Sequence, residues 1–279
     1  MNSISIKAYA KINLGLDVIR KRSDGYHDVC MIMQSVKLHD NLIIKKSNKP
    51  DITIRSNSIY VPNDKRNLIY KAASLFLETN AINSGLDITL NKRIPVSAGL
   101  AGGSSDAAAT LKGLNYLFEC NMTDKELMDL GVQIGADVPY CIMLGTALSE
   151  GIGEKLTALP SMPDCYILLV KPDVNVSTKY VYENLQLNDS IIHPNITAMI
   201  EAIKAADLDT LASRMDNLLQ TVTIKMHPII EDIKKEMIRL GALNSIMSGS
   251  GPTVFGLFRD KAKAQKAYDQ FWSNSAFAR

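Results

Sequence analysis

Cysteine is scarce in this 279-residue chain, and the four present, Cys30, Cys120, Cys141 and Cys165, form no Cys-x-x-Cys pair. None is grouped with a histidine at zinc-ligand spacing, so neither a disulfide framework nor a structural zinc site is expected. The four thiols read as free side chains in a reducing compartment. Tryptophan occurs once, and aromatics make up only 6% of residues. No apolar run approaches the ~20 residues that a membrane-spanning helix needs. Charge of one sign is also lacking: 31 basic and 29 acidic residues leave a net charge of +2. That balance generates no field suited to nucleic acid or a membrane surface. The short clusters Arg20-Lys21-Arg22 and Lys45-Lys46 read as solvated surface. The opening MNSISIKAYAKINL alternates polar and apolar residues with no charged segment before an apolar core, so no signal peptide is expected and the location expected is cytoplasmic. Neither a Gly-Lys-Ser/Thr phosphate loop nor a GxGxxG turn at a strand–helix junction is found.

What is present is an ordered mixture of strand and helix patterns. Ser3–Ala8 and Leu14–Ile19 have strand character, with Ser23-Asp24-Gly25 as a turn. Val29–Val36 is apolar enough to pair back as a further strand or to form a substrate-facing wall. Asn41–Lys45 and Asp51–Arg55 are predicted as strands around the break Asn48-Lys49-Pro50, in the manner of a hairpin. A helix is predicted over 67–79, a strand over 86–90 and a helix from Ser105 to Cys120. Thr123 followed by Glu126 has the capping-box spacing and opens another helix. Residues 145–160 read as strand, glycine turn and strand. Cys165–Val170 is a strand beyond Pro160 and Pro163, the expected boundary between domains 1–160 and 161–279. Helical patterns follow over about 177–185, 195–220 and 228–241. Then come a strand at Asn244–Met247, a glycine loop at Ser248–Pro252, a strand at Thr253–Phe258 and a final helix. Such mixing argues for an α+β protein.

One stretch carries chemistry. Residues 95–110, PVSAGLAGGSSDAAAT, join a strand to a helix. Gly99, Gly102 and Gly103 allow backbone conformations that turn consecutive N–H groups outward. Ser104 and Ser105 meet the helix N-terminus, where the dipole favours negative charge. The stretch therefore suits an anion, typically phosphate, although a plain tight turn would use similar residues.

The segment Pro95-Val96-Ser97-Ala98-Gly99-Leu100-Ala101-Gly102-Gly103-Ser104-Ser105-Asp106-Ala107-Ala108 resembles the phosphate loop of the GHMP kinase superfamily, with one extra small residue and an aspartate after the serines. Ala10-Lys11-Ile12-Asn13-Leu14 is similar to that superfamily's first motif, and Met247–Phe255 to its third. Asp24-Gly25-Tyr26-His27 and Gly135-Ala136-Asp137-Val138-Pro139 resemble segments of a branch that acts on a cytidylyl substrate. The five segments occur in the family's order and span nearly the whole chain. The resemblance implies a two-domain α+β architecture. Its N-terminal nucleotide domain is ribosomal-protein-S5-like. Its C-terminal domain is a ferredoxin-like α/β sandwich whose final segment can pack back on the first domain. It also implies ATP as co-substrate with Mg²⁺ and no dedicated protein-held metal site. The implied reaction is phosphorylation of the 2-hydroxyl of 4-(cytidine 5′-diphospho)-2-C-methyl-D-erythritol, in the cleft between the domains, on the non-mevalonate route to isoprenoid precursors. No nucleic-acid or membrane partner is implied.

Roles follow from the resemblance residue by residue. Asp137 faces the acceptor hydroxyl and Lys11 lies beside it. A carboxylate with an ordinary pKa near ~3.9 does not deprotonate an alcohol in the ground state. Asp137 is therefore expected to orient the hydroxyl and take its proton late, while Lys11 stabilises developing charge. Residues Pro95 to Ser105 are expected around the ATP phosphates, with Ser104 or Ser105 able to touch Mg²⁺. Asn67, Leu68 and Lys92 are expected on the adenine side. Asn13, Tyr26, His27, Tyr182, Gly249, Ser250 and Gly251 are expected on the acceptor. Tyr26 offers a π-face and His27 a donor–acceptor edge to cytosine. Tyr182 is matched by its spacing from Lys171-Pro172, and Met33 stands where the family often has a phenylalanine. Bland alternatives exist for each residue taken alone: a strand-edge lysine at Lys11, a turn at Asp137, a hairpin at Ser248–Gly251. Two other functions compete: another GHMP kinase with a small acceptor, and a nucleotide-binding sensor without turnover. Tyr26-His27 argues against the first, and the intact Lys11 and Asp137 against the second.

Overall fold

The computed structural model describes residues 2–188 and 190–273. In chain order its elements are β1 (Ser3–Lys21), β2 (His27–Ser47), β3 (Ile52–Ser56), α1 (Leu68–Thr79), β4 (Gly85–Asn91), α2 (Gly102–Phe118), α3 (Asp124–Gly131), α4 (Val138–Met143), β5 (Thr146–Gly151) and β6 (Lys155–Ala158). They continue with β7 (Tyr166–Val170), α5 (Thr178–Asn184), α6 (Ile196–Lys204), α7 (Leu208–Arg214), β8 (Asp216–Asn217), α8 (Gln220–Met226), α9 (Ile229–Arg239), β9 (Asn244–Met247), β10 (Val254–Phe258) and α10 (Lys261–Ser273). The four cysteines are free thiols, and among the described residues no helix is long and apolar enough to cross a membrane.

Two compact units interleave along the chain. The first takes the chain up to Lys11, Ser35–Val96 and Ala101–Leu144; the second takes Ile12–Gln34, Ser97–Leu100 and the chain from Gly145 onward. Both β1 and β2 run through both units. Each was expected as shorter strands, because buried runs such as Ala10–Leu16 interrupt the alternation that marks a strand with one wet face.

In the first unit, β2 pairs antiparallel with β4 from Asn41↔Asn91 to Ser47↔Gly85, and β3 pairs parallel with β4. The expected hairpin of β2 and β3 is therefore absent: β4 lies between them. The cause is α1, which carries the chain from β3 across to a parallel neighbour, a connection no tight turn can make. Gly85 permits the insertion, since a Cβ there would overlap the Lys49 carbonyl oxygen. Helix α1 packs on α2, and α2 and α3 both pack on α4. Residues Ser105–Leu111 of α2 are buried without a break, which explains their small size. At Gly113 a Cβ would lie 2.8 Å from Ile44 Cδ1. The predicted capping box is present on α3: Thr123 Oγ1 accepts from Glu126 N, and Thr123 N donates to Glu126 Oε2 at 2.7 Å.

In the second unit, the first part of β2 pairs with β5 (Val29↔Gly151 to Gln34↔Thr146), and β5 pairs with β6. Strand β8 pairs parallel with β1 through Gly15↔Asp216 and Leu16↔Asn217. A separate antiparallel sheet has the order β7-β10-β9, with α9 packed on β9 and β10 and α10 on β7. Ile230, Ile233 and Met237 form the buried stripe of α9. The single helical pattern expected over 195–220 is divided. Ala206, at φ 52°, ends one helix, and the Asp207 side chain caps the next by accepting from Thr210 N.

Candidate active site

The expected phosphate loop follows β4, and helix α2 begins at Gly102, three residues before the predicted start. Ser97, Gly99 and Ala101 have φ of 52°, 75° and 55°. Two of these are not glycine, and left-handed backbone at such residues is disfavoured by about 1–2 kcal/mol each. Alternation of this kind turns successive N–H groups to one side as an anion nest. Ala101 caps α2 with no side-chain hydrogen bond, and the first bond of the helix runs from Ser105 N to Ala101 O at 2.8 Å. The N–H groups of Gly102, Gly103 and Ser104 thus have no partner within the helix. Ser105 differs from Ser104. Its Oγ donates to Tyr9 O at 2.6 Å and lies 3.4 Å from Cys141 Sγ, which makes it a structural tie. Ser104 is half-buried.

Lys11 and Asp137 come together in the first unit. Lys11 Nζ is 3.7 Å from Asp137 Oδ2, with the lysine side chain 6% exposed and the aspartate 32%. Asp137 occupies the N-cap position of α4, where Pro139 fixes the helix start, yet its side chain caps nothing. The carboxylate is therefore held at an element end and left for other work. Cys141, one turn on, has its thiol pushed up to about 12, mainly by burial and next by the Asp137 charge. It stays protonated and is no nucleophile.

In the second unit, Ser97–Leu100 lies against the glycine loop Ser248–Gly251. Ser248 Oγ donates to Gly99 O at 3.0 Å, and Thr253 N donates to Ala98 O at 3.4 Å. Ser250 Oγ is 2.7 Å from Thr178 Oγ1, and Thr223 Oγ1 donates to Ser250 O at 3.2 Å. A residue without a sequence signal secures this loop. Asn217 is fully buried; its Nδ2 donates to Met247 O at 2.7 Å and Gly249 O at 2.8 Å, and its Oδ1 accepts from Leu219 N at 3.0 Å. Asn217→Asp, nearly the same shape, would set a carboxylate oxygen against two carbonyl oxygens. It is expected to destabilise the protein by about 2–4 kcal/mol, read as a lowered melting temperature; an unchanged melting temperature would remove the anchoring role.

The residues expected around cytosine also lie in the second unit. His27 and Tyr182 have ring centroids 5.1 Å apart, tilted by 34°. Tyr26 is 60% exposed. Burial, and then the Lys21 charge, holds the His27 imidazole below its ordinary value, so at neutral pH it is neutral and can both donate and accept. Asn13 is fully buried, with Nδ2 3.1 Å from Met31 Sδ, and a Cβ on Gly249 would lie 3.6 Å from its Oδ1. Met33 is fully buried and offers no surface to a base.

On the expected adenine side, Asn67 caps α1: its Oδ1 accepts from Ile69 N at 2.9 Å and its Nδ2 donates to Pro62 O at 2.7 Å. Leu68 is half-buried and borders the first turn of α2, 3.4 Å from where a Cβ on Gly103 would lie. Lys92 turns inward. Its Nζ is 2.5 Å from Asp40 Oδ2 and 2.8 Å from Asp106 Oδ2, at 6% side-chain exposure. Burial pushes the Asp106 carboxyl up to about 7 against the pull of Lys92.

Comparison with known proteins shows the family. The model of the GHMP kinases N terminal domain matches residues 67–145, and that of the GHMP kinases C terminal matches residues 199–275. A 4-diphosphocytidyl-2-C-methyl-D-erythritol kinase of Lachnoclostridium phytofermentans is 58% identical over 97% of this chain and 93% of its own length. One of Lachnospira eligens is 55% identical over 100% of this chain and 96% of its own. The crystal structure of a 4-(cytidine 5′-diphospho)-2C-methyl-D-erythritol kinase superposes with a TM-score of 0.83 at 32% identity, covering 99% of this chain and 97% of that one. The chain belongs to the GHMP kinases and, among them, to the family of the 4-diphosphocytidyl-2-C-methyl-D-erythritol kinases.

Proposed function

We propose that this kinase transfers the γ-phosphoryl group of ATP to the 2-hydroxyl of 4-(cytidine 5′-diphospho)-2-C-methyl-D-erythritol, giving the 2-phosphate and ADP. The observation that carries the chemistry is the Lys11–Asp137 pair at 3.7 Å, with a carboxylate at a helix N-cap that caps nothing. The hydroxyl oxygen attacks phosphorus in line as the bond to ADP breaks, and the hydroxyl proton passes to Asp137. Lys11, buried beside Asp137, stabilises the negative charge on the transferring group more strongly than water would. The N–H groups of Gly102–Ser104 hold the nucleotide phosphates. In sequence terms, 1–160 then serves ATP and 161–279 contributes to the acceptor side.

Mg²⁺ fits this donor set only as an ion carried in on the phosphates. Among the described residues no three His, Cys, Asp or Glu side chains group as a cage, and the hydroxyl of Ser105 is taken by Tyr9 O. Ser104 is the side chain that would reach the ion, with phosphate oxygens and water as its other ligands. When bound, Mg²⁺ neutralises phosphate charge and holds the triphosphate in one geometry.

Tyr26, His27 and Tyr182 act on the cytosine ring: Tyr26 and Tyr182 stack, and neutral His27 reads the edge. Tyr26→Ala is expected to raise the KM for the cytidylyl acceptor at least tenfold with KM for ATP within twofold, since a stacked base contributes about 1–3 kcal/mol. Equal effects on both would place Tyr26 elsewhere. The reaction itself is tested by phosphorus NMR of the product. A new monophosphate resonance coupled to the carbon-2 position is expected; a phosphate on another hydroxyl, or none, contradicts it.

A further inference from the structure

The phosphate loop leaves the first unit at Val96 and re-enters it at Ala101. Both anchor points, on either side, meet one buried cluster. Asp40 Oδ1 on β2 accepts from Arg93 N and, at 2.8 Å, from Ile94 N, the residues through which the chain enters the loop. Asp106 lies in the second turn of α2, through which the chain leaves it, and is 3% exposed. Lys92 joins the two carboxylates, at 2.5 Å and 2.8 Å. A Cβ on Gly102 would lie 2.9 Å from Lys92 Nζ, so the ammonium sits beside the first residue of α2, where the unpartnered N–H groups begin. No neutral packing residue would tie both ends through one atom. Asp106 Oδ1 is buried with no hydrogen-bond partner, which a purely stabilising network would avoid.

We propose that Asp40, Lys92 and Asp106 form a buried clamp that fixes both ends of the phosphate loop for the triphosphate, with Lys92 a positioning residue and not a nucleotide ligand. The inference rests on the kinase reading above. It replaces the adenine-side role that resemblance gives Lys92, because the ammonium is turned inward at 6% side-chain exposure and spends two of its three donors on carboxylates.

The test uses full-length protein and two variants. Lys92→Met alone would leave two buried carboxylates uncompensated, so it is combined with Asp106→Asn, which removes the second charge with little change in shape. Asp40 keeps its two backbone donors, Arg93 N and Ile94 N, so the change amounts to replacing the Lys92–Asp106 pair, which is often nearly neutral for stability. Folding is checked by circular dichroism, and ATP affinity is measured by calorimetry without acceptor. The double variant is expected to fold and to bind ATP at least tenfold more weakly, with the KM for the cytidylyl acceptor within twofold. Asp106→Asn alone, which keeps an oxygen for Lys92 but loses its charge, is expected to weaken ATP binding by clearly less than the double variant. A folded double variant with ATP affinity within twofold of the parent overturns the clamp. So does equal weakening toward both substrates, or a loss in Asp106→Asn alone as large as in the double variant, which would leave Lys92 no part in the effect. Absence of ATP binding by the parent protein would instead contradict the kinase reading.

Discussion

Asp137→Asn is expected to lower kcat about 10³-fold while KM for ATP stays within about threefold. The side chain is 32% exposed and caps nothing, so the change leaves α4 in place and its structural cost is confined to the ion pair with Lys11. Asparagine keeps the shape and can still orient a hydroxyl, but it cannot take the proton. The effect must therefore fall on the chemical step, in kcat and not in nucleotide binding. Lys11→Ala is expected to lower kcat by a similar factor for the other half of the reason: the transferring phosphoryl loses the buried cation that stabilises it. Lys11 is 5% exposed, so this change also opens a cavity, and its melting temperature should fall more than that of Asp137→Asn. Steady-state kinetics with both substrates varied reads these effects. Near-normal turnover in Asp137→Asn would remove the proton-acceptor role.

Gly99→Ala is the second large effect expected. Gly99 has φ +75°, and a Cβ there would overlap the Ser248 carbonyl oxygen and come within 3.1 Å of Gly251 O. Left-handed backbone disfavours alanine by about 1–2 kcal/mol, and the backbone overlap forces the two loops apart. Together these should destabilise the protein by about 3–5 kcal/mol and raise KM for ATP at least tenfold. Gly145→Ala separates the two causes, since Gly145 has φ +76° with nothing within 4 Å of its Cβ position. That variant should show only the backbone penalty. Equal melting temperatures for the two variants would mean that the contact with the glycine loop contributes nothing.

The sequence reveals the parts of this site that are local. Gly99 announces a loop because glycine freedom is a property of single residues; Gly102 and Gly103, read the same way, are instead the first residues of α2, and the other left-handed positions fall on Ser97 and Ala101. Thr123 with Glu126 announces a helix start because both hydrogen bonds close within four residues. Lys11, Asp137, Tyr26 and His27 are legible only through the order of five motifs, since each alone has an ordinary structural explanation. What stays hidden is long-range. Nothing in the periodicity of residues 41–55 says that β4 will pair with both strands. Asn217 lies in a stretch that reads as helix, and its partners are 30 and 32 residues away. Lys92 is placed on the adenine side by resemblance, and only the fold brings Asp40, 52 residues distant, and Asp106, 14 distant, onto it. Met33 reads as a ligand wall by alignment of motifs, yet it is fully buried because Val29–Gln34 lies within a paired strand.

The most direct test of the account is a coupled ADP-release assay on the purified protein with ATP and Mg²⁺. It is run with the cytidylyl acceptor, with homoserine, with mevalonate and with no acceptor. ADP formation is expected only with the cytidylyl acceptor, and in Tyr26→Ala with the same acceptor at a kcat/KM lowered at least tenfold. ADP formation with homoserine or mevalonate at a comparable kcat/KM, or none with any acceptor, would contradict it.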